Sequence, residues 1–539
     1  MLTRHPTLAE TRAAFRWDIP DRYNIGHDIC DRLAAGRPDA LAILDVPEGG
    51  PLRRTTFAAL KDLSNRYANV LSDVAGAGDR IAVLLPQRTE TAAAHVAILK
   101  MGAITLPLFT LFEADALRHR LKDSGARAVI TDAEGAAKLA ALRADLPDLV
   151  TVLAVDGPAS GASDLDALAA EAPAEFAPLD TAAEDPAILI YTSGTTGAPK
   201  GALHAHRVLL GHLPGVEMSH DFFPQEGDLI WTPADWAWIG GLLDVLMPAL
   251  HHGVPVVACR FRKFTARAAF ELIRTHGVRN AFLPPTALKM MRLDPPDAPV
   301  PMRSVASGGE TLGRELIGWG REVFGTTINE FYGQTECNMI VSSCAALAPA
   351  DPGVMGFPVP GHRLGVVDRA GGRLCGTGEP GEIAVALPDP VAFLRYWNRP
   401  EATAEKILTL DGTDWLMTGD TGAWTEEGRL RFVGRDDDII SSGGYRIGPG
   451  EIEDCLLTHP AVSLAGVVGA PDELRGERIV AFVQLAPGAE PSEALAQELA
   501  AHVGARLARH ETPREVRFLD ALPMTTTGKI IRHALRGRL

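Results

Sequence analysis

The strands this chain encodes are apolar along their whole length rather than at every second residue. Arg80-Ile-Ala-Val-Leu-Leu85, Ala103–Leu108, Ala126–Thr131 and Ala187-Ile-Leu-Ile-Tyr191 are short apolar runs without strict alternation. A strand of that kind has no solvated face, so it belongs in a sheet covered on both sides. Helical periods fall between the runs. Thr56–Leu71 sets Phe57, Leu60, Leu63, Tyr67, Val70 and Leu71 on one face; Glu90–Met101 follows and stops at Gly102; Ala114–Asp123 comes next. Strand and helix in turn predict an α/β fold built on parallel sheet.

The pattern changes twice. Residues 156–185 are rich in Ala, Pro, Glu and Asp and read as a surface connection with one weak helix at Leu165–Glu171. Around Gly353–Leu430 the segments shorten, and Ala423-Trp-Thr and Arg429–Val433 flank Glu426-Glu-Gly428, which predicts a hairpin in a barrel-like, more antiparallel region. After Arg435 come Asp436, Asp437 and Asp438, three carboxylates most easily held in water and so a good linker. The division expected is 1–436 and 437–539. The second part carries its own elements: a helix at Pro449–Leu457, strands at Ala465–Val468 and Ile479–Leu485, a helix at Glu493–Ala508, a strand at Val516–Leu519 and a basic tail. That reads as a small α+β domain.

The most informative stretch is Tyr191-Thr-Ser-Gly-Thr-Thr-Gly-Ala-Pro-Lys-Gly201, directly after a buried strand. Its glycines let backbone N–H groups converge on an anion, Thr192, Ser193, Thr195 and Thr196 add hydroxyl donors, and Lys200 adds charge. A Walker loop is excluded by spacing. With Gly194 as its first glycine, Pro199 stands where the second belongs, and Gly201 stands where a magnesium-binding hydroxyl belongs.

The string instead resembles the phosphate loop of the adenylate-forming superfamily, which holds acyl-CoA synthetases, luciferases and peptide-synthetase adenylation domains. Further motifs follow in order: Ser307-Gly-Gly-Glu310, Phe331-Tyr-Gly-Gln-Thr-Glu336, Trp415-Leu-Met-Thr-Gly-Asp420, Gly434-Arg435 running through Gly443-Gly-Tyr-Arg446, and Pro523 to Arg532 around Lys529. The resemblance implies a large N-terminal domain of two parallel-rich α/β subdomains plus a distorted β-barrel, with a mobile C-terminal domain. It also implies a two-step reaction. A carboxylate attacks the α-phosphorus of ATP, and a thiol then takes the acyl group and releases AMP. The carboxylate is already ionised at pH 7, so the first step needs charge neutralisation and positioning rather than a general base.

Roles follow from the resemblance residue by residue. Ser193, Gly194, Thr195, Thr196, Gly197 and Lys200, with Thr192, would hold the phosphates. Glu336 would bind Mg2+, and Thr335 the α-phosphate. Asp420 and Arg435 would hold the ribose. Tyr332 would stack on adenine in a pocket lined by Gly309 and Glu310, next to Gly333 and Gln334. Lys529 would be the adenylation catalyst, and Arg446 would meet a phosphate. Asp437 would be the hinge, with Asp438 the fallback, and Gly443 and Gly444 would line the tunnel for coenzyme A. His204 and His206 read as helix-start or pocket-wall residues rather than metal ligands, because no third ligand is evident.

The segment Ala234–Gly241 resembles the acyl pocket of acetyl- and medium-chain acyl-CoA synthetases. Acetate enzymes close that pocket with a tryptophan where this chain has Gly333. Gly333, with Gly240 and Gly241 beside Trp238 and Ile239, would therefore leave room for a medium-chain or branched fatty acid, or for an aromatic one. No acidic partner for an α-amino group is expected there, which argues against amino-acid activation. The partners expected are the acid, ATP and coenzyme A, or a carrier protein acting in trans. A scaffold that kept the fold without turnover would be the reading from a different class.

Composition sets the outer bounds. With 52 Lys+Arg against 68 Asp+Glu the net charge is −16, which disfavours a general grip on nucleic acid. Six cysteines without a CxxC pair predict free thiols and neither a disulfide framework nor a zinc site. The N-terminus lacks the apolar core of a secretory signal, and the two most apolar windows, Ala92–Phe112 and Ile239–Cys259, are broken by charged residues and prolines. A cytoplasmic protein without a membrane span is the expectation.

Overall fold

The computed structural model describes residues 2–192, 199–309, 312–435, 438–442, 445–472, 476–507, 511–525 and 529–539, with backbone alone at 435, 441, 445, 446 and 451. Among the described residues the strands form four sheets.

Two sheets are parallel through their middles, as the apolar runs predict. In one, Pro186–Tyr191, Ile104–Pro107, Arg80–Leu84, Ala128–Thr131 and Thr151–Ala154 lie side by side in parallel. In the other, Leu41–Asp45, Val256–Ala258, Ile230–Trp231, Asn280–Phe282, Ser304–Gly308 and Ile328–Gln334 do the same. One hydrophobic core joins them, with Ile81, Val83 and Ile188 from the first sheet and Ile43, Ile230 and Phe282 from the second.

The helix Thr89–Lys100 runs through that shared core with all its residues buried. Its run from Ala92 to Leu99, broken only by His95, supplies the apolar contacts. Its one lysine is neutralised in place: Lys100 Nζ pairs with Asp31 at 2.8 Å and donates to Ser64 Oγ at 2.9 Å and Asn65 Oδ1 at 2.8 Å. Gly102, just beyond, takes φ +67°, the left-handed stop expected of it.

The third sheet is antiparallel and barrel-like. It contains Leu364–Asp368, Gly381–Ala386, Ile407–Leu410, the long strand Thr413–Trp424 and Leu430–Arg435. The expected hairpin is present, with Trp424 opposite Leu430 and Gly428 at φ +73° in the turn. The fourth sheet lies wholly C-terminal. It pairs Ile440–Ser442, Tyr445–Ile447, Val462–Asp472, Gly476–Leu485 and Glu515–Phe518, with the helices Pro449–Leu457 and Glu493–Arg506. Its two cores draw only on residues from Ile440 to Leu535. The strand Val462–Asp472 is much longer than Ala465–Val468, because its partners on Gly476–Leu485 carry it past a bulge at Ser463 at one end and on to polar Asp472 at the other. Among the described residues no helix is long and apolar enough to cross a membrane.

Candidate active site

The singled-out motifs meet at the carboxyl ends of the parallel strands, where open α/β sheets place their clefts. Ser307 and Gly308 end the strand Ser304–Gly308, and Tyr332, Gly333 and Gln334 end its neighbour Ile328–Gln334. The phosphate-loop string joins Pro186–Tyr191 to the antiparallel strand Gly201–Ala205. The Thr192 N–H donates to the Lys200 carbonyl at 2.9 Å and closes the base of the loop. A strand–loop–strand connection is a second departure from the strand–loop–helix of a Walker motif.

Asp420 stands at the centre of one constellation. Tyr332 donates its hydroxyl to Asp420 Oδ2 at 2.7 Å, and Gln334 Nε2 donates to the same oxygen at 3.1 Å and to the Thr418 carbonyl at 3.0 Å. Burial, then the Asp420 charge, push the Tyr332 hydroxyl well above its ordinary pKa, so it remains a donor. The register of the barrel hairpin sets Asp420 directly opposite Arg435. Two residues expected to share a ribose are thus neighbours across one ladder. The Tyr332 ring is 8% exposed and lies 6.2 Å from the Phe432 ring.

Glu336 follows on the turn after that strand. Its Oε1 accepts a short hydrogen bond from the Tyr396 hydroxyl, and its carbonyl accepts from Phe393 N–H at 2.8 Å. Lys200 Nζ lies 5.3 Å from the centre of the same Tyr396 ring. Tyr396 therefore joins the end of the phosphate loop to the proposed magnesium carboxylate. A single buried carboxylate suits Mg2+, which takes few protein oxygens and completes its shell with phosphate and water. Tyr396 was not among the expected residues. Its place depends on the pairing of Arg395–Tyr396 with Ala202–Leu203, which no local pattern announces.

Lys529 reaches the same cleft from the C-terminal sheet. A Cβ built on Gly309 would lie 3.7 Å from Lys529 Cε and 3.5 Å from the Trp238 ring. Gly309 has φ +100°, a conformation that other residues rarely adopt. The aromatic wall continues from Trp238 to Phe282, with ring centres 5.7 Å apart, and from Phe282 to Phe331 at 5.2 Å.

The glycines of the acyl segment do not leave the space expected of them. A Cβ on Gly333 would fall 1.5 Å from the Asn338 carbonyl oxygen, because the ladder between Ile328–Gln334 and Asn338–Ser342 bulges there. On Gly240 it would meet Trp238 and Phe282 at 2.9 and 3.0 Å, and on Gly241 the Asp235 carbonyl at 2.3 Å. These glycines permit close backbone and ring packing against Asn338, Asp235, Trp238 and Phe282. Asp235 is an acidic side chain within the segment after all. Its Oδ1 accepts from Ala237 N–H at 2.8 Å, and burial pushes its carboxyl up to about 6.

His206 is buried and its Nδ1 accepts from Ile25 N–H at 3.1 Å, while burial pushes His204 down to about 3. Neutral buried rings fit the wall-residue reading of both. Burial raises the Cys337 thiol far above the ordinary range, so it offers no nucleophile beside Glu336. Ser193, Gly194, Thr195, Thr196, Gly197, Glu310, Asp437, Gly443 and Gly444 lie outside the described residues, as do the side chains of Arg435 and Arg446.

Comparison with known proteins gives the same answer as the motifs. The "AMP-binding enzyme" family matches residues 30–397, and "AMP-binding enzyme C-terminal domain" matches 451–529. Acetyl-coenzyme A synthetase of Bacillus subtilis is 32% identical, covering 99% of this chain and 94% of its own length. Human mitochondrial acyl-coenzyme A synthetase ACSM4 is 33% identical, covering 99% and 93%. The crystal structure of the anthranilate CoA ligase AuaEII in complex with anthranoyl-AMP superposes with a TM-score of 0.87 at 27% identity, covering 97% of this chain and 98% of its own. Matched in both its parts and along nearly its whole length, the chain belongs to the AMP-binding enzyme family of the adenylate-forming superfamily.

Proposed function

We infer that this protein is an AMP-forming acid–thiol ligase that converts a carboxylic acid, ATP and coenzyme A to acyl-CoA, AMP and pyrophosphate. In the first half-reaction a carboxylate oxygen bonds to the α-phosphorus as the bond to pyrophosphate breaks. In the second, the thiol sulfur bonds to the acyl carbon, the bond to AMP breaks, and the thiol proton passes to solvent. The observation that carries this reading is the approach of Lys529, from the C-terminal lobe, to Gly309 and Trp238 in the main body. An ammonium there would offset charge building between two anions, and removing such a donor costs about 10²–10³ in rate. Glu336, steadied by Tyr396, would hold Mg2+ against the phosphates, and the ion would supply charge neutralisation. Asp420, pre-set by Tyr332 and Gln334, would accept from the ribose hydroxyls.

The acid proposed is a medium-chain or branched fatty acid. The wall of Trp238, Phe282 and Phe331 favours a second reading, an aromatic acid, because rings pack well edge to face. The test is a panel of acids from about two to about twelve carbons, plus benzoate, assayed for AMP release with coenzyme A, where each buried methylene adds roughly 0.8 kcal/mol. Medium-chain acids should turn over fastest. Benzoate overtaking them all would select the aromatic reading, and no acid-dependent pyrophosphate release would remove the enzymatic one. A carrier-bound thiol outcompeting coenzyme A would make the protein an acyl-AMP ligase that loads a carrier.

A further inference from the structure

The loop carrying Lys529 is closed on itself and then fastened to the beginning of its own lobe. Thr525 N–H donates to the Lys529 carbonyl at 2.7 Å, Lys529 N–H donates to Thr525 Oγ1 at 3.0 Å, and Met524 bridges to Ile530. Ile531 N–H donates to the Pro523 carbonyl at 2.9 Å, and the chain then enters the short helix Arg532–Arg536.

The fastening is made of charge. Arg532 Nη2 donates to both carboxylate oxygens of Glu453, at 2.9 and 2.7 Å, and its Nη1 donates to Asp438 Oδ2 at 3.4 Å. Arg536 Nη2 donates to Asp438 Oδ1 at 3.0 Å. Glu453 also accepts from Val467 N–H at 2.8 Å. Both carboxylates are buried. Asp438 is the first described residue after the hinge position, and Glu453 lies on the helix Pro449–Leu457. That helix also faces the main body: Asp454 lies 3.4 Å from a Cβ built on Gly313, and Lys289 acts on Glu453 across the gap.

We propose that Arg532, gripped by Asp438 and Glu453, is the positioning residue that ties the Lys529 loop to the start of its own lobe and so fixes where the amine lies against the main body. The proposal rests on the assignment of Lys529 above. Buried ion clusters gain little stability over apolar packing of the same volume, so their value lies in fixed direction. The guanidinium fork supplies that direction, and a lysine does not. Burial pushes the Glu453 carboxyl up, and Arg532 opposes that rise.

The experiment compares Arg532→Met, Arg532→Lys and Lys529→Ala in the full-length protein, using the acid of the panel that turns over fastest. Acid-dependent ATP–pyrophosphate exchange reads the first half-reaction, and conversion of supplied acyl-AMP with coenzyme A reads the second. Misplacing a catalytic group by about 1 Å can cost as much as about 10²-fold. Arg532→Met should therefore lose about tenfold or more in exchange kcat, with the KM for ATP and the second half-reaction each within about twofold of wild type. Arg532→Lys should fall in between.

Should Arg532→Met lack a cooperative melt, Asp438→Asn, which keeps the Arg532–Glu453 pair, should show the same split at about threefold. Wild-type exchange in Arg532→Met, or equal losses in both half-reactions, would overturn the proposal. Undiminished exchange in Lys529→Ala would instead remove the lysine assignment and the proposal with it.

Discussion

Asp420 receives Tyr332 and Gln334 on a single oxygen, which leaves Oδ1 outside that pair of bonds. The tyrosine is a positioning group in this arrangement, since its hydroxyl ends on the carboxylate proposed to hold the ribose. Tyr332→Phe should raise the KM for ATP by about fivefold with little change in kcat, the size expected of one hydrogen bond worth about 1 kcal/mol. Steady-state kinetics in ATP would show it, and an unchanged KM would separate Tyr332 from nucleotide binding. Glu330, two residues earlier, gives a prediction in pH. One of its oxygens accepts from Leu312 N–H at 3.3 Å, and the other has no partner among the described residues. Burial pushes its carboxyl from 4.5 up to about 8, Leu312 N–H opposes this, and Asp454 adds to it. Between those values the folded state binds more protons than the unfolded chain, so stability is highest at low pH and falls as pH rises toward 8. Glu330→Gln removes that loss. Its melting temperature should gain on wild type between about pH 5.5 and about 8.5. Parallel melting curves across that range would refute it.

Elements show where tertiary pairing overrides local pattern. The strand ending in Tyr332-Gly333-Gln334 returns on itself through the turn holding Thr335 and Glu336, and a bulge between Tyr332 and Gly333 makes the return possible. Gly333→Ala would drive a methyl into the Asn338 carbonyl, and overpacking a buried ladder costs roughly 1–3 kcal/mol or more. A drop of several degrees in melting temperature, with weakened Mg2+ dependence from a displaced Glu336, is the expected outcome. A stable, fully active variant would show that the turn relaxes. Gly333 was read from sequence as an opening in the acyl pocket. A glycine has no side chain to report its surroundings, so only the partner strand tells whether the missing atoms leave a void or a contact. The helix Thr89–Lys100 was legible as a helix, but the burial of its Glu90, His95 and Lys100 was not.

At the scale of the molecule, the proposed site lies between a body and a lobe with separate cores, and Lys529 is the lobe residue that approaches Gly309 and Trp238. Lys529→Ala should lose about 10²–10³ in acyl-AMP formation while still converting supplied acyl-AMP to thioester. Pyrophosphate exchange and thioester assays run side by side would check it, and normal exchange would refute the role. The parallel sheets, the barrel hairpin, the C-terminal α+β fold and the order of the motifs were legible because each rests on a local rule: an apolar run, a helical period, a turn, or a spaced glycine and hydroxyl string. Tyr396 on Glu336 and the Arg532 clamp were not, because each joins segments 60 or more residues apart, and the closed acyl glycines were not, because a missing side chain leaves no pattern to read. Sequence alone determined the class of fold and the kind of chemistry, since the alternation of elements and the anion-binding loop are properties of neighbouring residues. Tertiary structure alone decided which oxygen each donor reaches and how closely the acyl-segment glycines are packed, because those depend on distances set when strands and lobes pack together.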